Sequence, residues 1–384
     1  MRGAQEPGEG KMVDIARKNL FHDRTRFLIT VVGVTFSVVL IFSQFGIYLG
    51  FMENASIIID NTRADLWITS KNSSNFDFPV PFSELKLNKV KATPGVAAAD
   101  KLILGWANMK RRDGGSENIE LVGFNPETGV GGPWRLKEGT IADIKAGKAV
   151  IVDESAFPKL GYLRVGDHVE INEQRVKVVG ISDGVRGFTT APYVFTSYRS
   201  AQEIDPFNRD RTVFIVARVA PGYDPNDVVS RLREIRDVDV YTRGSYSLKT
   251  RLYWTWETGI GLGFGLTVVM AIVVGVVIVS QTIYSATIEH LREFGTLKAI
   301  GATNRDVYGI ILKQALINAG LGYLAGLAIT LLVVHSSGVT GLVLVVPPAL
   351  MAGVLALTVA MCVTASMVSV RKALRVDPLV VFRA

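Results

Sequence analysis

Cysteine is nearly missing from this chain of 384 residues: Cys362 is the only one. An internal disulfide is therefore excluded, and no CxxC or Cys/His cluster is present to build a zinc-type metal site. Cys362 lies within an apolar run and reads as a small packing residue. No GxxxxGK[ST] loop occurs, so the chain has no P-loop with which to cradle ATP. Catalytic groupings are also scarce. Asp153-Glu154 and Asp237/Asp239 read as solvated surface carboxylates, Ser155 has no nucleophile-elbow context, and His168 lies in a hairpin without an evident Ser or Asp partner. No cofactor is expected in this chain.

Charge is absent from long stretches as well, and these absences organise the chain. Residues 27–52 hold no charged side chain, nor do residues 258–288. Between Lys313 and Arg371 only His335 could charge near neutrality. A helix rises 1.5 Å per residue, so about 20 apolar residues cross a ~30 Å hydrocarbon core. The third stretch is too long for one crossing, and Ser336, Ser337, Gly338, Thr340 and Gly341 interrupt it, with Pro347 and Pro348 just beyond. Four spans follow, at 27–50, 259–284, 310–334 and 343–369. They must be helices, because open strands cannot sit in lipid with unpaired backbone groups. Residues 335–342 become a short external loop.

Charge placement supplies an orientation. The segments 1–26, 285–309 (with Lys313) and 370–384 hold 14 of the 42 Lys+Arg but only 8 of the 35 Asp+Glu. Residues 52–257 hold 28 against 27 and are nearly neutral. The excess base lies beside three membrane ends that share one side, which the positive-inside rule places in the cytoplasm with both termini. The net charge of +7 is thus assigned to the bilayer surface rather than to nucleic acid. The first span is expected to be an uncleaved anchor, since it is longer than a signal-peptide core and no small-x-small site follows it. The first ten residues read as disordered.

Residues 51–258 have the mixed composition of a folded domain outside the bilayer. Asp167–Asn172 and Arg175–Val179 alternate like the arms of a hairpin, and Val213–Val219 reads as a strand. Pro225–Arg236 has helical spacing at Val228, Val229, Leu232 and Ile235. The expectation is an α+β domain of two lobes, the second inserted into the first. Within the spans, Gly261/Gly265 and Gly322/Gly326 form GxxxG pairs, which suit close helix packing. No Asp, Glu, Lys or Arg lies deep in a span, which argues against a proton relay.

After the second span, residues 288–302 read IEHLREFGTLKAIGA. Apolar residues recur at Leu291, Phe294, Leu297 and Ile300, while Glu289, Arg292, Glu293 and Lys298 carry charge, and Gly301 ends the pattern. A short amphipathic helix on the cytoplasmic side is predicted. This segment resembles the coupling stretch of the MacB, FtsX and LolC/LolE (type VII) ABC transporter permeases. Val90–Val96, Leu121–Pro126, Val150–Glu154, Leu160–Asp167 and Val178–Ile181 resemble a MacB-like periplasmic domain. Ile15–Arg26 resembles the basic amphipathic helix that precedes the first span in those proteins, and Arg371–Leu379 their tail. Within that group the chain is most similar to DevC, the permease of the DevBCA glycolipid exporter. There are two departures. His290 stands where Arg is usual, and Gln314 where relatives often have Glu.

The resemblance implies a four-helix membrane protein of the bacterial inner membrane with a large extracytoplasmic α+β domain. It implies that Glu289, Leu291, Arg292, Glu293, Phe294, Gly295, Leu297, Lys298 and Gly301 contact a separate ABC ATPase, which binds the ATP-Mg. The implied partners are a second copy of the chain, that ATPase, a membrane-fusion protein and a TolC-like outer-membrane duct. The implied activity is mechanotransmission that exports a hydrophobic or amphiphilic substrate such as a glycolipid. The alternatives are an FtsX-like regulator of cell-wall hydrolases, whose external domain is smaller, and LolCE-like lipoprotein release.

Overall fold

The computed structural model describes residues 24–185, 191–205, 210–289, 293, 296, 303–340 and 344–373. Two compact units divide the chain, one of residues 1–50 with 261–384, the other of residues 51–260.

The first unit contains four helices long and apolar enough to cross a membrane: Arg24–Ala55, Ile260–Glu289, Asn304–Thr340 and Pro348–Ala373. Each sequence-derived boundary shifts. The third helix continues through Ser336 to Thr340, where an external loop was expected, because leaving hydrocarbon does not end a helix and neither Ser nor an isolated Gly breaks one. The fourth helix starts at Pro348 rather than at 343. Proline fits a first helical turn, where its missing N–H leaves no bond unmade. Just before it, Val345 N–H donates to Gly46 O at 3.1 Å, which ties the connection to the first helix.

The helices share a core of Val34, Val38, Ile41 and Phe42 with Ala271, Val279, Ala315, Ala319 and Ala365. Small residues at these positions allow the backbones to approach. Hydroxyls add cross-helix bonds: Ser369 Oγ donates to Ser280 O at 2.7 Å and Tyr323 OH to Met351 O at 3.0 Å. In lipid there is little hydrophobic drive between helices, so such contacts carry the association.

The second unit is α+β. Its strands are β1 (Leu66–Ser70), β2 (Phe82–Ser83), β3 (Val96–Lys110), β4 (Ser116–Phe124), β5 (Leu136–Glu138), β6 (Ala149–Asp153), β7 (His168–Ile171), β8 (Gln174–Ser182), β9 (Tyr193–Ser197), β10 (Arg211–Thr212), β11 (Phe214–Val219) and β12 (Val238–Thr242). Ten of them form one sheet in the order β12-β1-β11-β3-β4-β9-β6-β8-β5, with β7 joined to β3 and β8, while β10 pairs with β2.

The strand β3 belongs to both lobes. Its first half pairs with β11 from Val96↔Val219 to Leu102↔Phe214, and its second half with β4 from Ile103↔Gly123 to Lys110↔Ser116. The β7–β8 hairpin turns at Asn172 and Glu173, both with positive φ (46° and 63°), as a two-residue primed turn requires. Leu66 and Ile68 enter the core of the first lobe, while Trp67 points the other way into an aromatic cluster with Phe76, Phe214 and Tyr246.

Candidate functional site

The second membrane helix ends at Glu289, and Glu293 and Thr296 beyond it are also helical and exposed. Leu291, Arg292, Phe294, Gly295, Leu297, Lys298 and Gly301, with His290, lie outside the described residues. Glu289 pairs with Arg26 on the first helix: both guanidinium NH2 groups donate to the two carboxylate oxygens. This fork-to-fork geometry fixes orientation as well as charge. The groups are 31% and 56% exposed, so the pair contributes about 0–1 kcal/mol to stability. Its effect is therefore positional. It joins the base of the first helix to the residue at which the amphipathic segment begins. Arg26 was read from sequence only as part of a basic run.

Thr303 closes the segment. Its amide and hydroxyl both donate to Asp306 Oδ2 at 2.7 Å, at the start of the third membrane helix. These bonds cap the third membrane helix at its start.

The glycines divide into two groups. A Cβ at Gly322 would lie 2.5 Å from Val34 Cγ1, and one at Gly326 would lie 2.5 Å from Val38 Cγ1. Both glycines therefore admit the first helix. Gly265 has open space around it, and Gly261 is half-buried. Sequence spacing alone misses Gly33, which faces Ile278 at 2.5 Å, and Gly275, which faces Met361 Sδ at 2.4 Å and Ser37 Oγ at 2.7 Å. Neither belongs to a GxxxG pair.

In the external unit, the surface reading of Asp153 does not hold. Its side chain is fully buried and accepts from Ser155 N–H (3.1 Å), Ser155 Oγ (2.6 Å), Ser182 Oγ (2.9 Å) and Val185 N–H (3.1 Å). A buried carboxylate needs such partners; this one closes the end of β6 against β8. Glu154 is exposed and pairs with Lys137. Residues 180–184 read GxSxG, but Ser182 is buried at the end of β8, no helix begins there, and its hydroxyl is committed to Asp153. His168 is exposed. Asp239 accepts from Asn72 N–H at 2.8 Å. Among the described residues, no group of His, Cys, Asp and Glu could hold a metal ion.

The MacB-like periplasmic core domain matches residues 27–235, and the FtsX-like permease C-terminal region matches residues 265–378. An uncharacterized ABC transporter permease of Mycobacterium tuberculosis is 26% identical over 328 residues, covering 83% of this chain and 85% of that one. A second, from Mycobacterium bovis, is 23% identical over 378 residues, covering 97% and 99%. The periplasmic region of MacB from Actinobacillus actinomycetemcomitans aligns over 50% of this chain and 96% of its own, with TM-score 0.39 and 13% identity.

Proposed function

Because the chain belongs to the ABC transporter permeases with a MacB-like periplasmic core and an FtsX-like C-terminal region, we propose that it is the permease subunit of an exporter driven by a separate ABC ATPase. Two copies pair in the bacterial inner membrane with their termini in the cytoplasm. Each offers the 288–302 segment to one ATPase subunit, which holds the ATP-Mg. Closure of the ATPase pair moves the cytoplasmic ends of the first two membrane helices, and the external domain answers that motion. A hydrophobic or amphiphilic substrate then passes to a membrane-fusion protein and a TolC-like duct, in the manner of DevC-type exporters.

The observation that carries this reading is the Arg26–Glu289 fork. It ties the start of the first helix to the end of the second, where the proposed coupling segment begins. Coupling requires only that the ATPase bind this segment differently in its two nucleotide states. The exposed face of the second helix at Leu262, Leu266, Val269 and Val273, with Gly265 among them, is suited to a second copy.

The test is Phe294→Asp. A charge in an apolar docking face costs several kcal/mol, roughly, so ATPase co-purification and export should be lost while membrane abundance stays normal. Gly295→Leu should do the same more mildly. Thr303→Ser, which keeps the bonds to Asp306, is the control. Unchanged ATPase recruitment in Phe294→Asp would remove the coupling role from this segment.

A further inference from the structure

A cavity of about 350 Å³ opens in the external domain between β3, β4 and the segment before β2. Among the described residues its lining includes Asp77, Glu120 and Asp205 together with Phe78, Leu104 and Trp106, and no Lys, Arg or His. Two of these carboxylates are deeply buried, Asp77 at 4% and Glu120 at 2% exposure, whereas Trp106 and Phe78 are about half exposed at the rim (52% and 51%).

The positions follow from strand register. Trp106 on β3 is directly opposite Glu120 on β4, and Glu120 is opposite Tyr193 on β9, so the three side chains share one face. The buried Tyr193 hydroxyl hydrogen-bonds Glu120. Asp77 is held in place from its other oxygen: Oδ2 accepts from Asn75 Nδ2 at 3.2 Å and from Trp254 Nε1 at 2.7 Å. Oδ1 is buried, lines the cavity through its residue, and has no hydrogen-bond partner. Burial drives the Asp77 carboxyl up to about 6, with the Trp254 indole and the local backbone pulling it partly back. Native proteins rarely bury a carboxylate oxygen without a donor, and the exceptions concentrate at functional sites.

We propose that this cavity binds the cationic head of a hydrophobic amine, with the ammonium between Asp77 and Glu120 and the apolar body along Trp106 and Phe78. The head supplies the donors that Asp77 Oδ1 lacks. Trp106, opposite Glu120 in the ladder, offers a ring face to the same cation. A cavity of this size holds a small aromatic or branched amine and leaves a longer tail outside. The site also has a mechanical outlet. Trp254 lies in the π-helical turn Tyr253–Glu257, just ahead of the second membrane helix, and turns of that kind recur at functional sites. The inference deepens the export reading by naming a substrate class, cationic rather than neutral, and rests on that reading only for calling the ligand a substrate.

The experiment uses the full chain in zwitterionic nanodiscs, with empty nanodiscs as blank and calorimetry as readout. The probes are 4-phenylbutylamine, 4-phenyl-1-butanol and 4-phenylbutyrate at pH 7.5. The amine should bind saturably, and the alcohol and the acid should not. Glu120→Gln and Asp77→Asn should each weaken the amine at least tenfold. Trp106→Ala changes an exposed side chain, leaves folding intact and should weaken it several-fold. Equal binding of amine and alcohol would overturn the proposal, as would amine binding unchanged in Glu120→Gln and Trp106→Ala. Displacement of the amine by stoichiometric calcium would reassign the cavity to a divalent cation and overturn it too. Because ATPase recruitment through residues 288–302 is measured without amine, either idea can fail alone.

Discussion

Gly326 offers a sharp test of how the first and third membrane helices meet. A Cβ there would lie 2.5 Å from Val38 Cγ1 and 2.8 Å from Val38 Cβ. Carbon atoms rest about 3.5–4.0 Å apart, so Gly326→Ala forces a separation of roughly 1 Å. Val38 cannot turn aside, because a β-branched side chain in a helix holds one rotamer and this one is fully buried. Overpacking of this kind costs about 1–3 kcal/mol. Gly322→Ala meets Val34 at the same distance and would also stretch the bond from Thr35 Oγ1 to Gly322 O, now 3.3 Å. One separation relieves both clashes, so the double variant should cost less than the sum of the singles. Val38→Ala costs about 1–2 kcal/mol by itself through lost contacts, and it removes the 2.5 Å contact with Cγ1 but keeps Cβ at 2.8 Å, so it relieves only part of the clash that Gly326→Ala creates. Denaturant titration of the detergent-solubilised chain should show a lower midpoint for Gly326→Ala in the wild-type background and a smaller drop in the Val38→Ala background. Gly265→Ala, with open space around it, should be silent. Fully additive costs in the Gly326/Val38 cycle would refute the close contact.

Three further outcomes are expected. Arg26→Glu should reduce ATPase co-purification, and adding Glu289→Arg should restore it by rebuilding the fork in reverse; a double variant no better than the single would sink the positional role. The Asp77 carboxyl lies near Glu120, Tyr193 and Tyr246, and its value rises from 3.8 to about 6 on folding. A raised acid favours the folded state fully only while protonated, so stability should fall by about 3 kcal/mol at most as pH climbs from 3.8 through 6, and Asp77→Asn should flatten that slope in thermal melts. Single cysteines at Ser116 and Asn304, both exposed, in a Cys362→Ser background should respectively react and fail to react with an impermeant maleimide added to intact cells; labelling at Asn304 would invert the topology.

The membrane helices were legible because charge-free runs of sufficient length have one structural solution in lipid. Their ends were less so: nothing in Ser336–Thr340 forbids a helix, whereas Pro348 favours starting one. In the external domain, the β7–β8 arms and β11 were visible through alternation. The strand β1 was not, since Leu66, Ile68 and Trp67 are buried on opposite faces and polarity has no period to show. Asp153 looked like surface because its partners come from residues 155, 182 and 185, and long-range satisfaction leaves no local trace. The amphipathic spacing of residues 288–302 was visible in the sequence, while the contact of Arg26 depended on a partner 263 positions away.

The shared strand β3 has a consequence for how the external domain comes apart. Fifteen residues of one backbone serve as an inner strand for both lobes, between β11 and β4. Neither lobe can shed its sheet without exposing half of β3 to water, so opening one end weakens the other. Amides along Val96–Lys110 should exchange with solvent at a single slow rate set by global unfolding, with no step at the Leu102/Ile103 junction. A protease should find no stable half to release. A pull on one lobe is therefore felt along a continuous line of hydrogen bonds, and the domain resists as one spring rather than two in series.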